Sequence, residues 1–207
     1  LSKERLLDEL KKISKLNTLE KLSKDKHSLD LILLIFPELK NIKIFSNLDL
    51  NKKKLLEKVD FIFYLSLLII DESDNADYFL YKYNISKKDQ KRIKIIDNFF
   101  KEKINLKTFD TTNINKLFYY NGKESVIDIL TFKIIKSKKF DQIIFDLINH
   151  YKNKPLPIMP IRADVLMIKY NIPEGKLLGD KLKIIEQKWV NNDFKISDQE
   201  IKNIIQN

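Results

Sequence analysis

The sequence contains no cysteine, so neither a disulfide nor a thiolate metal site can hold the structure, and an oxidising compartment gains no support. A reducing cytoplasm is the expected setting. Glycine and proline are nearly as scarce, at three and five residues. Most of them fall between Pro155 and Gly179, so long stretches elsewhere lack a strong helix breaker. A membrane-spanning run is missing too. The longest apolar stretch, Phe61 to Ile70, is about half the length such a helix needs and reads as a buried core helix.

The residue sets that carry common chemistry are also missing. No Asp-x-Asp pair occurs to hold a divalent metal, and Gly122, Gly175 and Gly179 fit no phosphate-cradling glycine loop. Asp71-Glu72-Ser73-Asp74 is the densest acidic cluster, and its place between two predicted helices reads as a solvated turn. His27 and His150 are the only histidines, far apart and without partners at ligand spacing. Nothing in these residues points to catalysis by the chain itself.

What is abundant is positive charge. Thirty-nine basic residues stand against 29 acidic ones, a net +10, and such an excess attracts phosphate-rich partners. Only Arg5, Arg92 and Arg162 are arginine. The remaining lysines, with the high Asn and Ile content, also fit an AT-rich coding bias, so a merely solvated surface stays open. Tyr81, Tyr83, Tyr119, Tyr120, Tyr151 and Tyr170 lie amid lysines, a mixture suited to RNA stacking, although each alone also suits a core edge.

Strand-like alternation is absent and helical periodicity recurs, so an all-α fold is expected, a multi-helix body followed by a small helical tail. Ser2 is placed to cap a first helix bearing Leu6, Leu7, Leu10 and Ile13. Asn17-Thr18-Leu19-Glu20 has capping-box form, and Ser28 is placed to cap Leu29 to Phe36. Asn51 to Ile70 reads as one strongly apolar helix. Ser86-Lys87-Lys88-Asp89 opens another, with Ile93 and Ile96 inward and Lys87, Lys88, Lys91 and Arg92 outward. Helices are also expected over Lys123–Lys136, Lys139–Tyr151 and Lys176–Asn192, the last with Leu178, Leu182, Ile185 and Trp189 on one face. Ser197-Asp198-Gln199-Glu200 caps a final short helix. Pro155, Pro157 and Pro160 force an extended connection before the tail subdomain that carries these last two helices. Gly175 and Gly179, four apart at a helix start, bare one face either for close packing by another helix or for approach of a phosphate.

Four stretches taken together are similar to the C-terminal half of class II tRNA nucleotidyltransferases, the CCA-adding enzymes and their relatives the bacterial poly(A) polymerases. "LSKERLLDEL" resembles the motif after that family's nucleotide-selecting helix, through Ser2, Glu4, Arg5, Glu9 and Leu10. "YNISKKDQKRI" (83–93) and "LFYYNGKESVIDIL" (117–130) resemble its body. "PIMPIRADVLMIKYNIPEGKLLGDKLKIIEQKWV" resembles its tail through Pro160, Leu166, Gly175, Gly179 and Trp189. Ala163 stands where the family has glycine, and Asp164 sits one place before its aspartate.

The resemblance implies the end of a neck at 1–48, a helical body at 49–151, a Pro-rich connection at 152–161 and a tail at 162–207. It implies addition of C, C and A to tRNA 3′ ends, or of A residues to RNA. The chain without its Met start is then the portion after a catalytic head, which carries the Mg2+ ligands and takes ATP and CTP. The chain itself would grip tRNA without catalysing or binding metal. Arg5, Lys91, Arg92, Arg162, Lys169, Lys176, Lys181 and Lys188 are the expected RNA-backbone contacts. A non-catalytic helical protein-interaction module is the alternative from another class.

Overall fold

The computed structural model describes residues 2–102 and 109–206. Among them are twelve α-helices and one 3-10 helix, and no strand, so the chain is all-α. Contacts divide it into two units, one of Leu1–Ile104 with Ile127–Lys152, the other of Asn105–Val126 with Asn153–Asn207. The segment 49–151, expected as one body, is thus divided between the two, and residues 105–126 group with the tail.

The first unit opens with α1 (Lys3–Ile13), α2 (Leu16–Lys24) and α3 (Lys26–Ile35). Ser2 caps α1 as its position suggested, its Oγ accepting the Arg5 N–H at 3.4 Å. The two caps expected next are displaced. Lys15 occupies the N-cap of α2 and supplies no capping side chain, while Glu20 faces Lys53 at 2.7 Å. Asp25, rather than Ser28, caps α3, accepting the Ser28 N–H at 3.0 Å. Pro37 follows, and α3 stops at Ile35 because the residue before a proline is driven out of the helical region.

After the 3-10 helix Ile42–Asn47 come α4 (Leu50–Leu56) and α5 (Phe61–Ile69), which the apolar pattern joins as one helix. The break has a local cause. Asp60 adopts an extended backbone and its carboxylate accepts the Phe63 N–H at 3.0 Å, starting a new helix. Tyr64 then donates to the Leu56 carbonyl at 2.8 Å and binds the two helices together. Burial pushes the Tyr64 phenol up to about 12.

α5 is the centre of the core. Phe63 through Ile69 are all buried, because a helix that is apolar all round must be covered on every side. α6 (Asn75–Tyr83) and α7 (Lys87–Lys101) pack against it. Ser86 and Asp89 make the expected reciprocal cap at the start of α7. Ile129, Leu130, Phe132, Ile134 and Ile135, on the later part of α8 (Thr111–Lys136), are buried, as are Ile144, Ile148 and Tyr151 on α9 (Gln142–Asn153). Lys52, almost wholly buried, donates to the Ser137 carbonyl and ties α4 to the end of α8.

α8 is helical on both sides of Gly122, where φ is 82 and ψ is 173, a backbone region that only glycine adopts readily. Its first part belongs to the second unit, whose other helices are α10 (Ala163–Tyr170), α11 (Lys176–Asn191) and α12 (Asp198–Gln206). No helix forms between Asn153 and Ala163, where three prolines withhold backbone donors. Leu166, Ile172, Leu178, Ile185 and Ile201 form the unit's own core, with Leu182 packed against it. Tyr119 packs edge-on against Trp189 at 5.3 Å and donates to Glu186 at 2.6 Å. The Ser197–Glu200 capping box forms as expected: the Glu200 N–H donates to Ser197 Oγ, and the Ser197 N–H to the Glu200 carboxylate.

Candidate nucleic-acid interface

Five of the eight expected contact residues lie in the second unit. Arg162 precedes α10 with its side chain 81% exposed, and its ion-pair neighbour among the described residues, Asp164, is 3.8 Å away. Lys176 opens α11 and is exposed. Gly175 and Gly179 flank it, and a Cβ added at either would meet nothing within 4 Å. Among the described residues nothing packs closely against either glycine, and the backbone there is open.

Lys169 and Lys188 converge on the first turn of α12. Lys169 Nζ lies 3.5 Å from Asp198 and Lys188 Nζ 3.3 Å from Glu200. Asp198 raises the Lys169 pKa, and the Ser197 N–H with Lys188 holds the Glu200 carboxyl below its usual range. Both pairs are open to solvent, where such pairs are weak and screened by salt, so either lysine can exchange its partner for a phosphate.

Lys181 has a different task. Its Nζ donates to the Ile204 carbonyl at 2.8 Å, satisfying one of the orphan carbonyls at the end of α12, and it is half-buried. It belongs to the packing of α11 on α12 rather than to a solvent-facing surface.

In the first unit, Arg5 on α1 and Lys91 on α7 are exposed. Arg92, expected beside Lys91, turns inward. Its Nε and Nη2 donate to the two oxygens of Asp128 at 2.6 and 3.0 Å, and Nη1 donates to Asp60. The Arg92 side chain is 18% exposed and that of Asp128 8%. Burial works against the guanidinium charge, and the two carboxylates more than offset it, so its pKa rises. Helical periodicity puts Arg92 on the same side as Lys91, but the partner that draws it in lies 36 residues away.

The tyrosines divide similarly. Tyr83 and Tyr151 are buried and Tyr119 is bonded to Glu186, whereas Tyr81, 86% exposed, and Tyr120 present rings to solvent.

A group of cations that the pattern did not single out lines a cavity of about 420 Å³ in the first unit: Lys101, Lys133 and Lys136, with Phe100 and Phe132. The two rings lie 4.7 Å apart. Lys101 is held by Asp97 at 2.9 Å. Lys136 donates to Asn41 at 3.2 Å, and burial depresses its pKa. Only the three-residue spacing of Lys133 and Lys136 hinted at it.

Among the described residues no three His, Asp or Glu side chains gather to hold a metal. In the Asp71–Asp74 turn, Asp71 accepts from the Ser73 hydroxyl at 2.6 Å and Lys101 approaches Asp74 at 3.6 Å. With a hydroxyl donor and an ammonium group already against these carboxylates, the turn does not fit a Mg2+ site. Among the described residues no helix is long and apolar enough to cross a membrane. Compared with protein-family models, with curated proteins and with solved structures, the chain matches none.

Proposed function

We propose that this chain grips structured RNA, as the neck, body and tail portion of a CCA-adding tRNA nucleotidyltransferase, and that it does not itself catalyse. Nucleotidyl transfer to the RNA 3′ end, with its Mg2+ and its ATP and CTP, falls to a head domain whose residues are not among these 207. The observation that carries the reading is the surface of the second unit. Arg162 and Lys176 face solvent, Lys169 and Lys188 are held by exposed pairs, and the backbone at Gly175 and Gly179 is open. A helical surface of this kind recognises RNA through phosphates and shape, because an A-form duplex hides its base edges in a deep, narrow groove. Four sequence stretches similar to the family, in the family's order, supply the particular substrate. A bacterial poly(A) polymerase shares those stretches, and the residues that separate the two activities lie in the head.

The test is a titration of labelled tRNA lacking its terminal CCA, beside an unstructured RNA of equal length, at several salt concentrations. The expected result is tighter binding to the folded tRNA, weakening steeply as salt rises. Equal, weak binding to both would overturn the proposal. It would favour the second reading, a protein-interaction module, for which the neighbouring exposed residues Leu31, Leu34 and Ile35 on α3 speak. Apolar docking there would be nearly indifferent to salt.

A further inference from the structure

The start of α2 lacks what a helix start ordinarily has. Its first turn holds no acidic residue, and Lys15 at the N-cap offers no side-chain acceptor. The first N–H groups of a helix have no partner within it and carry the positive end of its dipole. Among the described residues the N–H groups of Asn17 and Thr18 have no N-cap side chain to bond.

These residues open onto a cleft of about 980 Å³, where Lys11, Lys12, Ser14, Lys15, Asn17 and Thr18 line one part. Ser14 is the second and independent sign of a ligand. It is only 4% exposed, and its Oγ is buried with no hydrogen-bond partner among the described residues, a state that costs free energy unless something fills it. Phe61 also lines the cleft, with Lys11 Nζ 6.0 Å from its ring centroid. The lining is not uniformly basic. Asp8 and Glu57 contribute to it, and Lys12 is paired with Glu9 at 2.7 Å. The pair is exposed and exchangeable, and three ammonium groups outnumber the two carboxylates.

We propose that this cleft binds one phosphate-bearing nucleotide unit. The phosphate oxygens accept from the Asn17 and Thr18 N–H groups and the Ser14 hydroxyl, Lys12 and Lys15 balance the charge, and the base lies on Phe61. A phosphate alone would leave most of the cleft empty, whereas ligand pockets of roughly 300–1,000 Å³ suit molecules of nucleotide size. Helix starts with free N–H groups are ready-made phosphate sites. The inference goes beyond the gripping of tRNA, since a free mononucleotide and one residue of an RNA chain present the same groups.

The experiment follows backbone amide shifts of the full chain during titration with AMP, with inorganic phosphate and with a short single-stranded RNA. The Asn17 and Thr18 amides are expected to shift and saturate, with AMP binding more tightly than inorganic phosphate. Lys15→Asp places a built-in carboxylate at the N-cap. It should leave the melting temperature unchanged or higher while weakening AMP by about tenfold or more. Ser14→Ala should weaken it less, and Phe61→Leu should erase the advantage of AMP over phosphate. Shifts with AMP alone identify a free-nucleotide site, and shifts with RNA alone identify a residue of the RNA chain; either supports the proposal. Unmoved Asn17 and Thr18 amides in all three titrations overturn it, as does undiminished AMP binding by Lys15→Asp. If RNA moves amides elsewhere while these stay still, this site falls and the RNA-gripping reading stands. If AMP moves them and no RNA binds, the reverse holds.

Discussion

Replacing Arg92 by Met tests whether this arginine serves the fold or the RNA. The change keeps much of the side-chain volume but removes three donors, those to Asp128 and Asp60. Asp60 sits at the start of α5 with about half its side chain in water and can recover hydration. Asp128 cannot, because its side chain is 8% exposed. Removing one partner of a buried ion pair costs about 3–5 kcal/mol, well above the 0–1 kcal/mol of an exposed pair. Urea unfolding at neutral pH should therefore show a loss of about 3–5 kcal/mol for Arg92→Met. Asp128→Leu combined with Arg92→Met should recover most of it, since an apolar pair of similar volume carries no uncompensated charge. A loss below about 1 kcal/mol, or no recovery in the double variant, would refute the assignment of Arg92 to the fold.

Arg162→Ala should weaken RNA binding about uniformly across sequences and lower the salt slope by about 1, whereas Lys181→Ala should leave the slope unchanged and loosen the end of α12 in hydrogen exchange. Gly122→Ala should destabilise the chain by about 1–3 kcal/mol in thermal or urea unfolding, although space is open around it, because φ 82 with ψ 173 strains any residue that has a Cβ. Asp97 is buried, and burial raises its pKa against the pull of Lys101. The folded chain therefore holds that proton more tightly than the unfolded one. Its contribution is unfavourable above the raised folded value and vanishes as pH falls below the ordinary carboxylate range. Asp97→Asn should accordingly be at least as stable as the parent at pH 7 and lose its relative advantage in acid, measured as the difference between the two unfolding curves across pH.

Much of the helical layout is legible in the sequence, because short-range chemistry dictates it. Ser2, Ser86 and the Ser197–Glu200 box cap as their spacing suggests, and the inward face of α11 follows the 3.6-residue period. The misreadings have two causes, a competing partner distant in sequence and a second local cap. Glu20 is drawn to Lys53 instead of closing a box with Asn17, and Asp60 restarts a helix inside a run whose apolar period continues through it. Arg92 and Lys181 look like their solvent-facing neighbours on a helical wheel. Asp60 and Asp128, 32 and 36 residues from Arg92, and the Ile204 carbonyl, 23 residues from Lys181, remove them from the surface. Lys91 and Lys176 are exposed and stay where periodicity puts them.

The order of segments in the two units bears on how the protein is made and handled. Each unit is assembled from two stretches that alternate along the chain, so no single cut releases either one whole. A fragment beginning at residue 153 keeps Trp189, Glu186 and Asp193 but forfeits Tyr119 and Asn115, which meet them. During synthesis the first unit waits for residues 127–152 to emerge, and by then the opening stretch of the second has already been made and must stand without its partners. A library of truncations would therefore report lost folding where an experimenter meant to test lost binding, and point substitutions on the intact chain are the sounder instrument.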